Sequence, residues 1–224
     1  MSMSESQEPI LAILEAYRVV PVVTLSDTTV ASHLAECLLE EGLPLLEVTL
    51  RTPEAFGVIE VLRHRFPSLT VAAGTVVSPG ALREVGDLGV AFAVSPGCSA
   101  ELLSVAGKVG IPFLPGVATP SEVIGVLGSG RTVMKVFPVT QLGGKSYLKT
   151  LGSLFGRASF CPTGGIRGDE LGGYLGLPGV IGLGGSWMCS KTLLEAGDWS
   201  ACRTQIRETV SWVREWEEVA QCTG

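Results

Sequence analysis

Histidine is almost absent from this 224-residue chain, which carries only His33 and His64. Both fall in helical segments on solvent-facing positions, so neither is offered as a catalytic or metal-binding group. The six cysteines (Cys37, Cys98, Cys161, Cys189, Cys202 and Cys222) form no CxxC pair and have no close histidine. That spacing suits neither a zinc site nor a small disulfide framework, and free thiols packed as small hydrophobes are expected. Positive charge is also short, since 16 Lys and Arg against 22 Asp and Glu leave a formal net charge of -6. A nucleic-acid partner would normally meet a basic surface, so none is expected. No stretch approaches the roughly 20 apolar residues that cross a bilayer. The first eight residues are polar and acidic, without the basic and apolar regions of a signal peptide. A cytoplasmic protein with no membrane partner is the expectation.

What the chain has in plenty is short apolar runs, within a composition that is 46% hydrophobic. They occupy residues 19–24, 45–50, 70–74, 91–94, 112–114, 133–137, 159–161 and 180–183, separated by helix-like segments such as 28–41 and 53–66. Thr52 reads as an N-cap for the second of these, with Pro53 at its first helical position. Eight strands alternating with helices predict an α/β fold, a (β/α)8 TIM barrel. Extra helices are expected before the first strand (9–17) and at the end of the chain (199–220). An open doubly wound sheet is the competing arrangement, but no GxGxxG follows the first run. With no Pro/Ser linker, residues 1–224 read as a single domain. In the last helix Ile206, Val210, Val213 and Trp216 fall near helical spacing, a stripe suited to packing on the barrel.

Lys135 stands out because it is the lone charge in the run Thr132-Val133-Met134-Lys135-Val136-Phe137-Pro138. A buried ammonium either finds a carboxylate or gives up its proton, and a neutral amine condenses with ketones to a Schiff base. Alone, the same residue could be a strand-end lysine whose head reaches water. Strand parity places Val133, Lys135 and Phe137 on one face of this run, and Glu47, Thr49 and Arg51 on one face of the second. If both faces point into the barrel, the lysine meets an acid and an arginine. Arg51 could then bind a substrate carboxylate and Glu47 could carry protons, or the two could simply neutralise each other. Thr75, after Gly74, and Ser95-Pro96-Gly97 end the third and fourth runs; Pro115-Gly116 reads as turn chemistry after the fifth. Two glycine-rich segments, Pro162-Thr163-Gly164-Gly165-Ile166 and Gly182-Leu183-Gly184-Gly185-Ser186, end the last two runs. Loops there form the recurrent phosphate site of such barrels, with backbone N–H groups and helix N-termini facing the anion.

Glu47-Val48-Thr49-Leu50-Arg51-Thr52, Gly74-Thr75-Val76, Ser95-Pro96-Gly97, Lys135-Val136-Phe137-Pro138, Phe160-Cys161-Pro162-Thr163-Gly164-Gly165-Ile166 and Gly184-Gly185-Ser186-Trp187 follow one another in order. In this the chain resembles the class I 2-keto-3-deoxy-6-phosphogluconate (KDPG) / 4-hydroxy-2-oxoglutarate (KHG) aldolases, from about residue 19 to 198. The resemblance implies a homotrimeric barrel that needs no metal or other cofactor. It implies Lys135 as the Schiff-base lysine and Glu47 as the acid/base. Arg51 and Thr75 would bind the pyruvyl carboxylate, with Pro96 and Phe137 shaping the pocket. Thr163 would meet the hydroxylated part of a 2-keto-3-deoxy sugar acid phosphate, and Gly164, Gly165, Gly184, Gly185 and Ser186 its phosphate. Some relatives carry arginine where this chain has Thr24. Open alternatives are a preference for 4-hydroxy-2-oxoglutarate or for the 6-phosphogalactonate epimer, a noncatalytic sugar-phosphate sensor, and an acid/base isomerase without an iminium.

Overall fold

A computed structural model describes residues 7–223. The first half of the chain runs α1 (Glu8–Tyr17), β1 (Val19–Val23), α2 (Thr28–Glu40), β2 (Leu45–Thr49), α3 (Ala55–Arg65), β3 (Thr70–Gly74), α4 (Pro79–Asp87), β4 (Ala93–Val94), α5 (Ala100–Val109), β5 (Phe113–Leu114) and β6 (Gly116–Val117). The second half adds α6 (Pro120–Gly128), β7 (Val133–Val136), α7 (Gly144–Leu154), β8 (Ser159–Pro162), α8 (Leu171–Leu175), β9 (Leu183–Gly185), α9 (Lys191–Ala196) and α10 (Trp199–Thr223). All strand pairs are parallel, in the orders β5-β4-β3-β2-β1-β9 and β6-β7-β8. The result is an α/β fold around a curled parallel sheet.

Local chemistry sets many of the helix starts. Asp27 caps α2 by accepting from the Thr29 and Val30 amides, and Ser78, Ser99 and Ser190 cap α4, α5 and α9. Thr119 and Glu122 form a reciprocal capping box on α6. Thr52 does not cap α3. Its hydroxyl donates to the Leu25 carbonyl at 2.8 Å, and the helix starts two residues beyond Pro53.

Alternation along the strands sorts the core into two layers. Leu46, Val48, Ala73, Ala93, Met134 and Val136 pack outward against the helices. Val20, Leu45, Ala72, Phe92, Leu114, Val133 and Cys161 pack together inside the curl, where Ile10 and Leu14 of α1 join them. Each of those two side chains is fully buried, which contributes about 1.5–3 kcal/mol apiece. The stripe expected on α10 is present, with Ile206 and Val213 buried and Val210 and Trp216 half-buried.

Two strand assignments differ from the sequence reading. Pro115-Gly116 does not end the fifth run. Pro115 alone separates β5 from β6, and the chain changes partner there, from β4 below to β7 above. A proline has no N–H to give to a ladder, so pairing breaks and resumes on the other side. At the break Gln7 fills the space between β5 and β7. Its amide nitrogen donates to the carbonyls of Phe113 (3.0 Å) and Val133 (2.8 Å), while its oxygen accepts from Thr132 and Val133 N–H (2.9 and 3.0 Å). The last strand lies at Leu183–Gly185, not 180–183. Apolarity pointed to Val180 and Ile181, but these residues supply only a bridge to Phe160.

Candidate active site

The inward faces meet as parity requires. Glu47 (β2) and Lys135 (β7) face each other across the curl and are 3% and 5% exposed. The Lys135 ammonium donates to both Glu47 oxygens, at 3.1 and 3.4 Å. The same nitrogen lies 5.7 Å from the centre of the Phe137 ring. Beside Lys135, opposite it in register on β8, Cys161 is sealed in, and burial pushes its thiol up to about 12, so it stays protonated and takes no part as an acid or base near neutrality.

Above the pair opens a cleft of about 1150 Å³. Thr24, Thr49 and Arg51 line it from β1 and β2; Phe137, Thr163, Gly164 and Gly165 line it from β7 and β8; Gly184, Gly185 and Ser186 complete it from β9. Lys135 and Glu47 lie outside this lining, as do Thr75 and Pro96. Arg51 is exposed at the mouth rather than paired with Glu47, so mutual neutralisation of those two is set aside in favour of the Lys135–Glu47 pair. Thr75 is half-buried at the end of β3 and holds a left-handed φ of 59°, a strained state for a β-branched residue. Pro96 is half-buried, and its backbone lies so close to Gly116 that no Cβ fits there.

The two glycine-rich segments are not alike. Gly164 and Gly165 form a true turn, at φ of 102° and 77°. Gly184 and Gly185 are buried strand residues pressed against Thr163 and the Trp187 ring respectively. Only 3-10 turns of three residues begin soon after each segment, at Gly168–Glu170 and Trp187–Cys189, so the expected helix-dipole contribution is slight. Among the described residues no cluster of three or more His, Cys, Asp or Glu is placed to hold a metal ion, and no helix is long and apolar enough to cross a membrane.

The family described as KDPG and KHG aldolase matches residues 10–205. The chain belongs to that family. A 2-dehydro-3-deoxy-phosphogluconate aldolase of Pseudoalteromonas atlantica is 39% identical over 193 residues, covering 86% of this chain and 90% of that protein. The KHG/KDPG aldolase of Escherichia coli is 38% identical over 199 residues, covering 89% and 93%. Among solved structures, the KDPG aldolase of Legionella pneumophila, with pyruvate captured at low pH as a covalent carbinolamine intermediate, aligns with a TM-score of 0.87. It shares 39% identity over 90% of this chain and 98% of its own. The Zymomonas mobilis KDPG aldolase with 3-phosphoglycerate aligns at a TM-score of 0.84 and 34% identity, over 92% and 96%.

Three features of this family member escaped the sequence reading. Trp187 stands in the sequence reading only as the end of a motif, with no role, yet it lines the cleft while its indole N–H donates to the buried Thr209 hydroxyl of α10 at 2.9 Å. Thr24 and Thr49 share a 2.7 Å hydroxyl contact, which β1–β2 register could have suggested, since Val23 stands opposite Val48. Gly74 is needed for a reason beyond ligand approach, because a Cβ there would overlap the Glu47 carboxylate. Gly74→Ala should therefore lower the stability by about 1–3 kcal/mol and displace Glu47 from Lys135. Denaturant midpoints and turnover measured together check this; an unchanged midpoint with full turnover would show that Glu47 has room to yield.

Proposed function

We propose that this chain is a class I aldolase cleaving 2-dehydro-3-deoxy-6-phosphogluconate to pyruvate and glyceraldehyde 3-phosphate. The observation that carries the reading is the buried Lys135–Glu47 pair beneath an open cleft. Burying two charges has no structural necessity in a core otherwise filled by Val, Leu and Phe, whereas an amine sharing a proton with an acid is what ketone condensation requires.

Proton transfer from Lys135 to Glu47 gives a neutral amine and a carboxylic acid 3.1 Å apart. The amine adds to the C2 ketone, and Glu47 returns the proton as water departs, leaving an iminium. Glu47, now a carboxylate, takes the C4 hydroxyl proton directly or through a water. The C3–C4 bond breaks, its electron pair moves into the iminium to form an enamine, and the aldehyde leaves. Glu47 then protonates C3, and water releases pyruvate and the free lysine. Phe137 walls the cleft over the lysine, Arg51 at the mouth and Thr75 at the end of β3 take the carboxylate, and Pro96 shapes that side. Thr163 serves the hydroxylated carbons, and Gly164, Gly165, Gly184, Gly185 and Ser186 take the phosphate.

The wider reading is of one domain over residues 1–224, closed as an eight-position (β/α)8 barrel with α1 and α10 as additions. The single Pro115 between β5 and β6, and the Phe160–Val180 and Thr163–Gly184 bridges, support closure. A homotrimer in the cytoplasm, acting on small molecules without a cofactor, nucleic acid or membrane, completes it.

Borohydride added to protein and pyruvate should leave a stable pyruvyl-derived mass on the peptide containing Lys135. A peptide without that mass rules the iminium out, and with it the aldolase reading in favour of an isomerase or a sensor.

A further inference from the structure

We propose that the Thr24–Thr49 hydroxyl pair reads the configuration of the hydroxyl-bearing carbon next to the bond that breaks, and so sets which C4 epimer this enzyme prefers. The inference rests on the aldolase reading above and adds two residues to which that reading gives no task.

Thr49 lies on the inward face of β2, between Glu47 below and Arg51 above. It is 2% exposed, and its hydroxyl has one partner among the described residues, the Thr24 hydroxyl at 2.7 Å. Thr24 follows directly on β1 and has no other hydroxyl partner either. Two hydroxyls carry two hydrogens and four lone pairs, and their mutual contact uses one of each. One hydrogen and three lone pairs are left over, and both residues line the cleft. Valine would fill either place with the same shape and at no cost in unmet hydrogen bonding.

The level of the pair matters. Along a strand two residues advance about 6–7 Å, so Thr49 stands one side-chain layer above Glu47. A substrate joined to Lys135 through C2 extends its carbons beyond the ketone upward into that layer. There it lies between Thr163, on the β8 side, and Thr24–Thr49, on the β1–β2 side, with Gly184 and Gly185 of β9 between those walls. A tetrahedral carbon held between two polar walls presents its hydroxyl to one or the other according to its configuration. The pair is shared, so Thr24 orients the hydroxyl of Thr49; Thr24 is the positioning residue and Thr49 the one that meets substrate.

The test compares kcat/KM for the two C4-epimeric 2-keto-3-deoxy-6-phospho sugar acids in the wild type, Thr24→Val, Thr49→Val and Thr24→Ser. Each valine variant should change the epimer ratio by about 10-fold toward unity, the scale expected when one polar contact to a substrate hydroxyl is lost. Thr24→Ser should restore the wild-type ratio. A ratio unchanged within twofold in Thr24→Val overturns the proposal, as does an equal loss on both epimers, which a purely structural role would give. Should Thr49→Val fail to fold, Thr24→Val and Thr24→Ser still decide the matter, because Thr24 is exposed. Borohydride trapping of pyruvate by the wild type separates the two levels: no adduct refutes the aldolase reading, whereas an adduct with an invariant epimer ratio refutes this inference alone.

Discussion

Lys135→Ala is expected to lower aldol cleavage by on the order of 10⁴-fold or more and to abolish the borohydride adduct with pyruvate. The size of the effect follows from the chemistry, because without the amine no iminium exists to accept the electron pair of the breaking bond. Stability should fall as well. The substitution leaves the Glu47 carboxylate, 4% exposed in its side chain, without a counter-charge, and removing one member of a buried pair costs about 3–5 kcal/mol. The two losses can be pulled apart. Lys135→Met combined with Glu47→Gln removes both charges and should recover most of the denaturant midpoint while recovering no turnover. Lys135→Arg keeps the positive charge but forms no Schiff base under these conditions. Measurable cleavage by Lys135→Arg, above that of Lys135→Ala, would mean that the charge and not the amine is what matters.

Glu47→Gln should lower kcat by about 10²–10⁴-fold, the range for losing a positioned proton carrier. Shape is preserved, and the Gln side chain still reaches Lys135, so the fold should survive. Lys135 itself remains, and slow adduct formation with pyruvate should persist where Lys135→Ala gives none. The sharpest measurement is exchange of the pyruvate methyl protons with deuterated water. That exchange runs through the enamine and needs a group to carry protons to and from C3. Wild-type exchange rates in Glu47→Gln would assign the proton work to some other group.

The sequence reading and the structure agree most closely where a simple period governs. A period of two puts Glu47, Thr49 and Lys135 on inward faces, where all three are buried, and the family motifs supply the chemistry. Disagreement gathers where glycine and proline act. Gly184 and Gly185 read as a turn because they lack side chains, yet they are strand because Thr163 and Trp187 need the space. Pro115-Gly116 read as an end because proline stops a ladder, yet the chain resumes at once with another neighbour. Thr52 had the right chemistry for a cap but found the Leu25 carbonyl instead. In each case a long-range partner decided the outcome, and local composition carries no record of it. The same holds for Gln7, which lies in a segment read only as polar.

Gln7 joins chain segments 106 and 126 residues away, at the place where Pro115 divides the fifth strand. Contacts that distant carry the entropic cost of closing long loops. The seam between β5 and β7 is thus held by a clasp that joins two arcs distant along the chain. Amide hydrogens of Thr132 and Val133, which the Gln7 oxygen shields, become a local gauge of that closure. Their exchange would report opening of the seam separately from global unfolding, and would show whether the arcs breathe against each other while the Lys135–Glu47 pair stays shut.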